Sequence, residues 1–128
     1  RDEEVMYVRA LPDGTIAAQQ VIDNGARQLE NRSEVHVLAD TALDLAPDGT
    51  LTLYWQDASD HTLRFAVKGP GDEAFSEGRV LAGAVQPYEG SFGFSNRTAR
   101  HESGHWLSSF RFHLPDEAPE SEVVIFAR

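Results

Sequence analysis

Residues 42–55, ALDLAPDGTLTLYW, place the strongest constraint on the fold. Leu43 and Leu45 alternate with polar residues, the turn letters Pro47-Asp48-Gly49 follow, and Leu51 and Leu53 resume the alternation. A period of two puts successive side chains on opposite faces of a strand. Proline presets φ at the turn entry, aspartate bonds to nearby backbone, and glycine accepts a positive φ. The segment predicts a β-hairpin. The same four letters, P-D-G-T, recur at 12–15 between VMYVRAL and IAAQQV and predict a second one. Their flanks do not match, so shared turn chemistry accounts for the recurrence better than an internal repeat.

Further along, the polar cluster QDASDH marks a turn, and TLRFAVKG sets Leu63, Phe65 and Val67 on one phase. GPGDEAFSEG reads as a loop. RVLAGAV and SFGFS read as short strands broken by QPYEG. HWLSSFRFHL places Trp106, Ser108, Phe110, Phe112 and Leu114 at alternate positions, PDEAPES interrupts, and EVVIFAR closes the chain. Short strands with turn signals every roughly 8–12 residues mark an antiparallel sandwich or barrel. The expected fold is all-β: one domain over 1–128, a β-sandwich or jelly-roll-like barrel of about eight to ten short strands. One segment is ambiguous. In AAQQVIDNGARQL, residues Ala18, Val21, Ile22, Ala26 and Leu29 follow a helical stripe. Asn24-Gly25 after an aliphatic pair signals a hairpin, and glycine inside a helix costs about 1 kcal/mol. Strand–turn–strand is preferred, with a short helix near 17–30 as the alternative.

Composition narrows the function. The chain has 21 Asp and Glu against 11 Lys and Arg, a formal net charge of −10. That average repels phosphate backbones and anionic membrane surfaces, so nucleic acid is not an expected partner. No apolar run approaches the ~20 residues of a membrane helix, so membrane insertion is not expected either. The absence of cysteine excludes disulfides, thiolate metal sites and thiol catalysis. No phosphate loop and no G-x-S-x-G elbow occurs. The chain opens on RDEEV and not on Met, as a processed form or a fragment does. An extracytoplasmic setting, or a place in a larger assembly, suits such a chain.

Only RHESGHW, residues 100–106, carries the letters of catalysis. His101, Glu102 and His105 spell H-E-x-x-H, and with Gly104 they resemble the H-E-x-G-H of several zinc peptidase families. On a helix, the resemblance implies two imidazoles one turn apart on Zn²⁺ and Glu102 as general base on the bound water. The surroundings favour another reading. A catalytic zinc needs a third protein ligand. A metzincin-like extension wants Gly at 108 and His at 111, where this chain has Ser108 and Arg111; His113 lies two positions too far along. Glu120 and Glu122 sit in a tail that reads as loop and strand. Gly104 weakens a helix, and the alternation from Trp106 to Leu114 runs through its second half. So RHESG reads as a loop and HW as the start of a strand. A non-catalytic metal site is the other use for these residues: His101 and His105, joined by His61 or His113, would suit zinc. No cofactor is favoured.

Adjacent Tyr54 and Trp55 point to opposite faces of a strand, which predicts one of them outside the core. An exposed Tyr54 would belong to a sugar- or protein-binding face. Most other aromatics fall on inward phases, as core or as the wall of a barrel holding a small apolar ligand. N-R-S at Asn31 and N-R-T at Asn96 match the N-glycosylation pattern. His36 reads as a surface residue. The function expected from all this is a non-catalytic binding and assembly module that presents loops and an acidic surface to a protein partner or to copies of itself. A glycan is the second ligand class, and a zinc metallopeptidase and an apolar-ligand barrel are the alternatives. Exposed sheet edges would make pairing between chains natural.

Overall fold

A computed structural model of the chain describes residues 4–24, 38–57, 62–82, 91–113 and 120–127. Nine strands run through them: β1 (Val5–Ala10), β2 (Ile16–Asp23), β3 (Leu38–Leu45), β4 (Leu51–Asp57), β5 (Thr62–Lys68), β6 (Arg79–Ala82), β7 (Ser91–His101), β8 (Gly104–His113) and β9 (Glu120–Ala127). They form three antiparallel sheets: β1–β2, a central β3–β4–β5–β6, and β7–β8–β9. The all-β expectation holds. No helix occurs among the described residues, and so none long and apolar enough to cross a membrane. The helical alternative near 17–30 fails over 17–23, where β2 pairs with β1 and Ala18, Gln20 and Ile22 turn towards the interior in a strand's alternation. Residues 25–30 lie outside the described residues.

Both P-D-G-T segments fold identically, as their shared chemistry requires. Leu11 N–H donates to Thr15 O at 2.8 Å and Gly14 N–H to Leu11 O at 2.9 Å. The second copy repeats these bonds from Ala46 to Thr50 O at 2.8 Å and from Gly49 to Ala46 O at 2.9 Å. In each, the aspartate accepts from the threonine amide two residues on, Thr15 to Asp13 and Thr50 to Asp48, both at 2.9 Å. Those bonds hold both carboxyls below their ordinary range. Gly14 and Gly49 take φ of 84° and 90°, values that L side chains rarely adopt. A Cβ on Gly14 would meet open space, whereas one on Gly49 would lie 3.2 Å from the Pro70 side chain.

The hairpin β4–β5 is covered on both faces, and this places everything else. On one face Trp55, Leu53 and Ala66 pack with Val5 and Phe75, with Tyr7, Ile22 and Leu51 at the margin. On the other, Tyr54 and Leu63 pack with Leu107 of β8, next to Phe65, Leu81 and Ala82. The expectation that Tyr54 or Trp55 would lie outside the core is therefore wrong: both are buried. They do point to opposite faces, but each face has its own cover. The β1–β2 ribbon is fastened by three contacts. Trp55 Nε1 donates to Asp23 Oδ2 at 2.9 Å in a buried bond. The Gln20 side chain accepts from Phe75 N at 2.8 Å and donates to Phe75 O at 3.4 Å. The Tyr7 and Phe75 rings meet edge to face at 5.1 Å.

Two predictions follow from the turns. Gly49→Ala is expected to lower stability by about 1–2 kcal/mol, because both the positive φ and Pro70 oppose it. Gly14→Ala is expected to cost less, since only the backbone resists it; urea titration of the two variants tests the order. For pH, a carboxyl depressed in the folded state contributes stability that is complete above its unfolded value, near 3.8, and is lost as pH falls towards the lower folded value. Asp13→Asn with Asp48→Asn keeps an acceptor oxygen but removes the titration. The loss of melting temperature below pH 4 is expected to be shallower in that variant than in the parent.

Candidate functional site

The H-E-S-G-H segment is a β-hairpin. β7 runs to His101, Glu102 and Ser103 form the turn, and Gly104 opens β8 with φ of 139°. His101 pairs with Gly104, and Arg100 pairs with His105. Residues directly opposite in an antiparallel pair share a face, so His105 sits with Arg100. His101, next to Arg100 along β7, points the other way. His101 is exposed, and its Nδ1 lies 2.9 Å from Ser103 Oγ and accepts from Ser103 N–H at 3.2 Å. His105 is buried. The register thus assigns the two motif residues to opposite faces of the hairpin ladder, His105 buried and His101 exposed beside Glu102 at the tip, where both histidines border one cleft.

Of the other candidate ligands, only His113 falls among the described residues. His113 ends β8 opposite Glu120, eight strand positions or roughly 26 Å from His105. His36 and His61 lie outside the described residues. Among the described residues, no group of three His, Asp or Glu side chains is placed to hold a metal ion.

What the hairpin builds is a polar fastening between sheets. Asn96, Thr98 and Arg100, at alternate positions of β7, all reach β3. Asn96 Nδ2 donates to Asp40 O at 2.6 Å, and Thr98 Oγ1 donates to Leu43 O at 3.2 Å. Arg100 Nε donates to Asp44 Oδ1 at 2.9 Å while its Nη2 meets Oδ2, a two-pronged pair. The Asp40 carbonyl is aimed at Asn96 by a bulge: between the Ala39–Gln56 and Ala42–Tyr54 pairs β3 carries an extra residue, and Asp40 sits at φ 50°. Asp44 is almost fully buried, and His105 Nε2 lies 3.5 Å from its Oδ1. Hydrogen bonding to Asp44 raises the Arg100 pKa above its ordinary value, against a desolvation that lowers it, with the charges of Asp44 and Asp48 adding to the rise. Arg100 stays charged across the accessible pH range.

Beside this fastening, an open cleft of about 430 Å³ runs between the two turns, lined by Asp48, Thr50, Arg100, His101, Glu102 and His105 among others. It mixes charges of both signs. On the far face of β7–β8, Trp106 stands 38 % exposed opposite Ala99, above a shallow cleft shared with Arg97 and Ser108. Trp106 is thus an exception to the reading that most aromatics fall on inward phases. The inward positions are His105, Leu107 and Ser109, because Leu107 fills the Tyr54–Leu63 core and His105 shares its face with the Arg100–Asp44 pair. Asn96, of the N-R-T match, is 1 % exposed and its amide nitrogen is bonded to Asp40. Asn31 lies outside the described residues.

The polar alternation N-x-T-x-R at 96–100 is the sequence signal for the inter-sheet fastening, and it is legible only once β3 is known to lie beneath it. Apolar surface gathers elsewhere, on the β1–β2 ribbon. Met6, Val8, Ile16 and Val21 are 43, 47, 54 and 45 % exposed. Met6 pairs with Val21, Val8 with Gln19 and Ala10 with Ile16, so these side chains share the ribbon face turned away from Trp55. Compared with protein-family models, with curated proteins and with solved structures, the chain matches none.

The geometry separates a fastening from a catalytic site by mutation. Asp44→Ala is expected to cost about 2 kcal/mol, below the usual figure for breaking a buried pair because the Arg100 side chain is 34 % exposed. Glu102→Ala, at the exposed tip, is expected to stay within about 0.5 kcal/mol of the parent. Chemical denaturation of both variants checks the contrast, which reverses if Glu102 rather than Asp44 organises the hairpin.

Proposed function

We propose that this protein is a non-catalytic binding and assembly module: a β-scaffold that offers the outer face of β1–β2 to a protein partner. The observation that carries the reading is the cluster of Met6, Val8, Ile16 and Val21, four large apolar side chains left in water on one ribbon face. Single exposed apolar residues are ordinary, but a contiguous group of them on a regular face is characteristic of interaction sites. The ribbon is held on its inner side by Trp55, Gln20 and Phe75 and presents this face on a rigid mount. A rigid mount lowers the ordering cost of association.

The test is capture with a matched control. Val8→Glu with Val21→Glu places two carboxylates on the outer face and leaves the Trp55 side untouched. A partner retained by the parent chain and lost by this variant, with thermal unfolding within a few degrees, is the expected result. Equal capture by both chains would remove the ribbon face from the reading.

A further inference from the structure

Trp106 stands exposed on the outer face of the third sheet, and a charge stands beside it. Its strand partner is Ala99, so across the ladder the indole meets only a methyl group. Two positions along each strand, Arg97 pairs with Ser108, and a regular ladder puts that pair on the same face. These four side chains, with Thr98, line an open cleft of about 270 Å³. Elsewhere in the described strands arginines meet partners within the fold. Arg64 lies 3.6 Å from Asp57, Arg100 grips Asp44, and Arg79 covers the Phe65 ring at 4.9 Å. Arg97 differs. Its Nη1 donates to the Asn96 carbonyl at 2.7 Å, and among the described residues no carboxylate reaches it. It is exposed, and it carries the only charge among the described residues of the cleft.

We infer that this cleft is a binding site for a saccharide unit that bears a carboxylate, of the uronic acid class. It lies on a different sheet from the β1–β2 ribbon, and its ligand is independent of the ribbon's partner. A pyranose ring has an apolar face of C–H groups, which packs on the negative face of an indole, and a rim of hydroxyls, which needs polar groups at the side. Trp106 supplies the first, and Ser108 with Arg97 the second. The guanidinium donors that Asn96 does not occupy suit a carboxylate, which the planar fork holds by charge-assisted bonds. Size selects a single ring: the cleft is smaller than the roughly 300–1,000 Å³ of sites that enclose a drug-sized ligand. Its open shape selects a sugar over an aromatic acid. An aromatic ligand gains by burying both ring faces, and an open cleft covers only one. A sugar keeps the hydroxyls of its outer side in water. A run of phosphates, as in a nucleic acid, would meet a net charge of −10, whereas a single carboxylate needs only the one arginine.

NMR of the indole N–H signals tests this. The chain has two tryptophans, and Trp55, buried and bonded to Asp23, serves as the internal control. Glucuronate, glucose and benzoate are each titrated to about 50 mM, the range of a single ring held by few contacts. Glucuronate is expected to shift the Trp106 signal saturably, to bind at least tenfold more tightly than glucose or benzoate, and to leave the Trp55 signal in place. Arg97→Gln keeps a donor without the charge and is expected to bring glucuronate down to the level of glucose. Trp106→Ala is expected to abolish saturation transfer to the glucuronate ring protons, with an unchanged Trp55 signal showing that the fold is intact. The ribbon variant, Val8→Glu with Val21→Glu, is expected to bind glucuronate as the parent does. A Trp106 signal indifferent to glucuronate overturns the inference. Benzoate or glucose binding as tightly as glucuronate, or glucuronate binding unchanged in Arg97→Gln, overturns it too. None of these results bears on the ribbon's partner.

Discussion

The burial of both faces of the β4–β5 hairpin is the constraint on which the rest of this structure depends. In β4, Thr52 through Asp57 are all buried, which an antiparallel strand with one wet face does not permit. Tyr54 and Trp55 therefore need separate covers. Trp55 is covered by the β1–β2 ribbon and Phe75, Tyr54 by Leu107 of the third sheet. The two cores are of different kinds. The Trp55 core is apolar and closed by one buried indole–carboxylate bond to Asp23. It also leaves no room for error, since a Cβ on Gly78 would come within 2.8 Å of the Trp55 ring.

The Tyr54 side is held largely by polar groups. Asn96, Thr98 and Arg100 meet β3, and Gln56, Asn96 and Ser109 are buried between the layers. Hydrogen bonds contribute little net free energy against water, but a buried polar group without its partner is costly. Such an interface is therefore specific more than it is strong: one register satisfies Asp40, Leu43 and Asp44 together, and a slip of one residue along β7 would turn all three donors to the wrong face. The bulge at Asp40 belongs to the same requirement, because it brings a β3 carbonyl within reach of Asn96.

Much of the fold is legible in the sequence because its signals are local. P-D-G-T carries its own turn chemistry, and both copies close on the same bonds. The alternation in TLRFAVKG marks β5, and the apolar run of EVVIFAR marks β9. The misreadings concern which way a strand faces. Alternation says that Tyr54 and Trp55 differ, and that Trp106 and Leu107 differ, but burial depends on what covers each face, and a partner layer from distant sequence decides that. Aromatic content misleads at the start of β8: Leu107 is inside, packed with Tyr54 and Leu63, while Trp106 stays outside. For H-E-S-G-H the spacing implies chemistry only on a helix. In a hairpin where His101 pairs with Gly104 and Arg100 with His105, the register assigns His101 and His105 to opposite faces, and Gly104 with φ of 139° suits the end of the Glu102-Ser103 turn.

The ribbon β1–β2 joins these themes. Its inner face obeys the logic of the core: Val5, Tyr7, Gln20 and Ile22 all find partners against Trp55 and Phe75. Its outer face keeps the same alternation but with Met6, Val8, Ile16 and Val21 where an isolated ribbon would carry charge. A chain with 21 acidic residues does not lack charges to place there. Acidic groups sit at the ribbon's ends, Glu4 and Asp23, and at its turn, Asp13, while the strand bodies hold only Arg9. The strand bodies of the ribbon thus form a strip with Arg9 as its one charge. A strip of that kind is disadvantageous for a solitary protein, and it becomes useful once something of matching polarity lies against it.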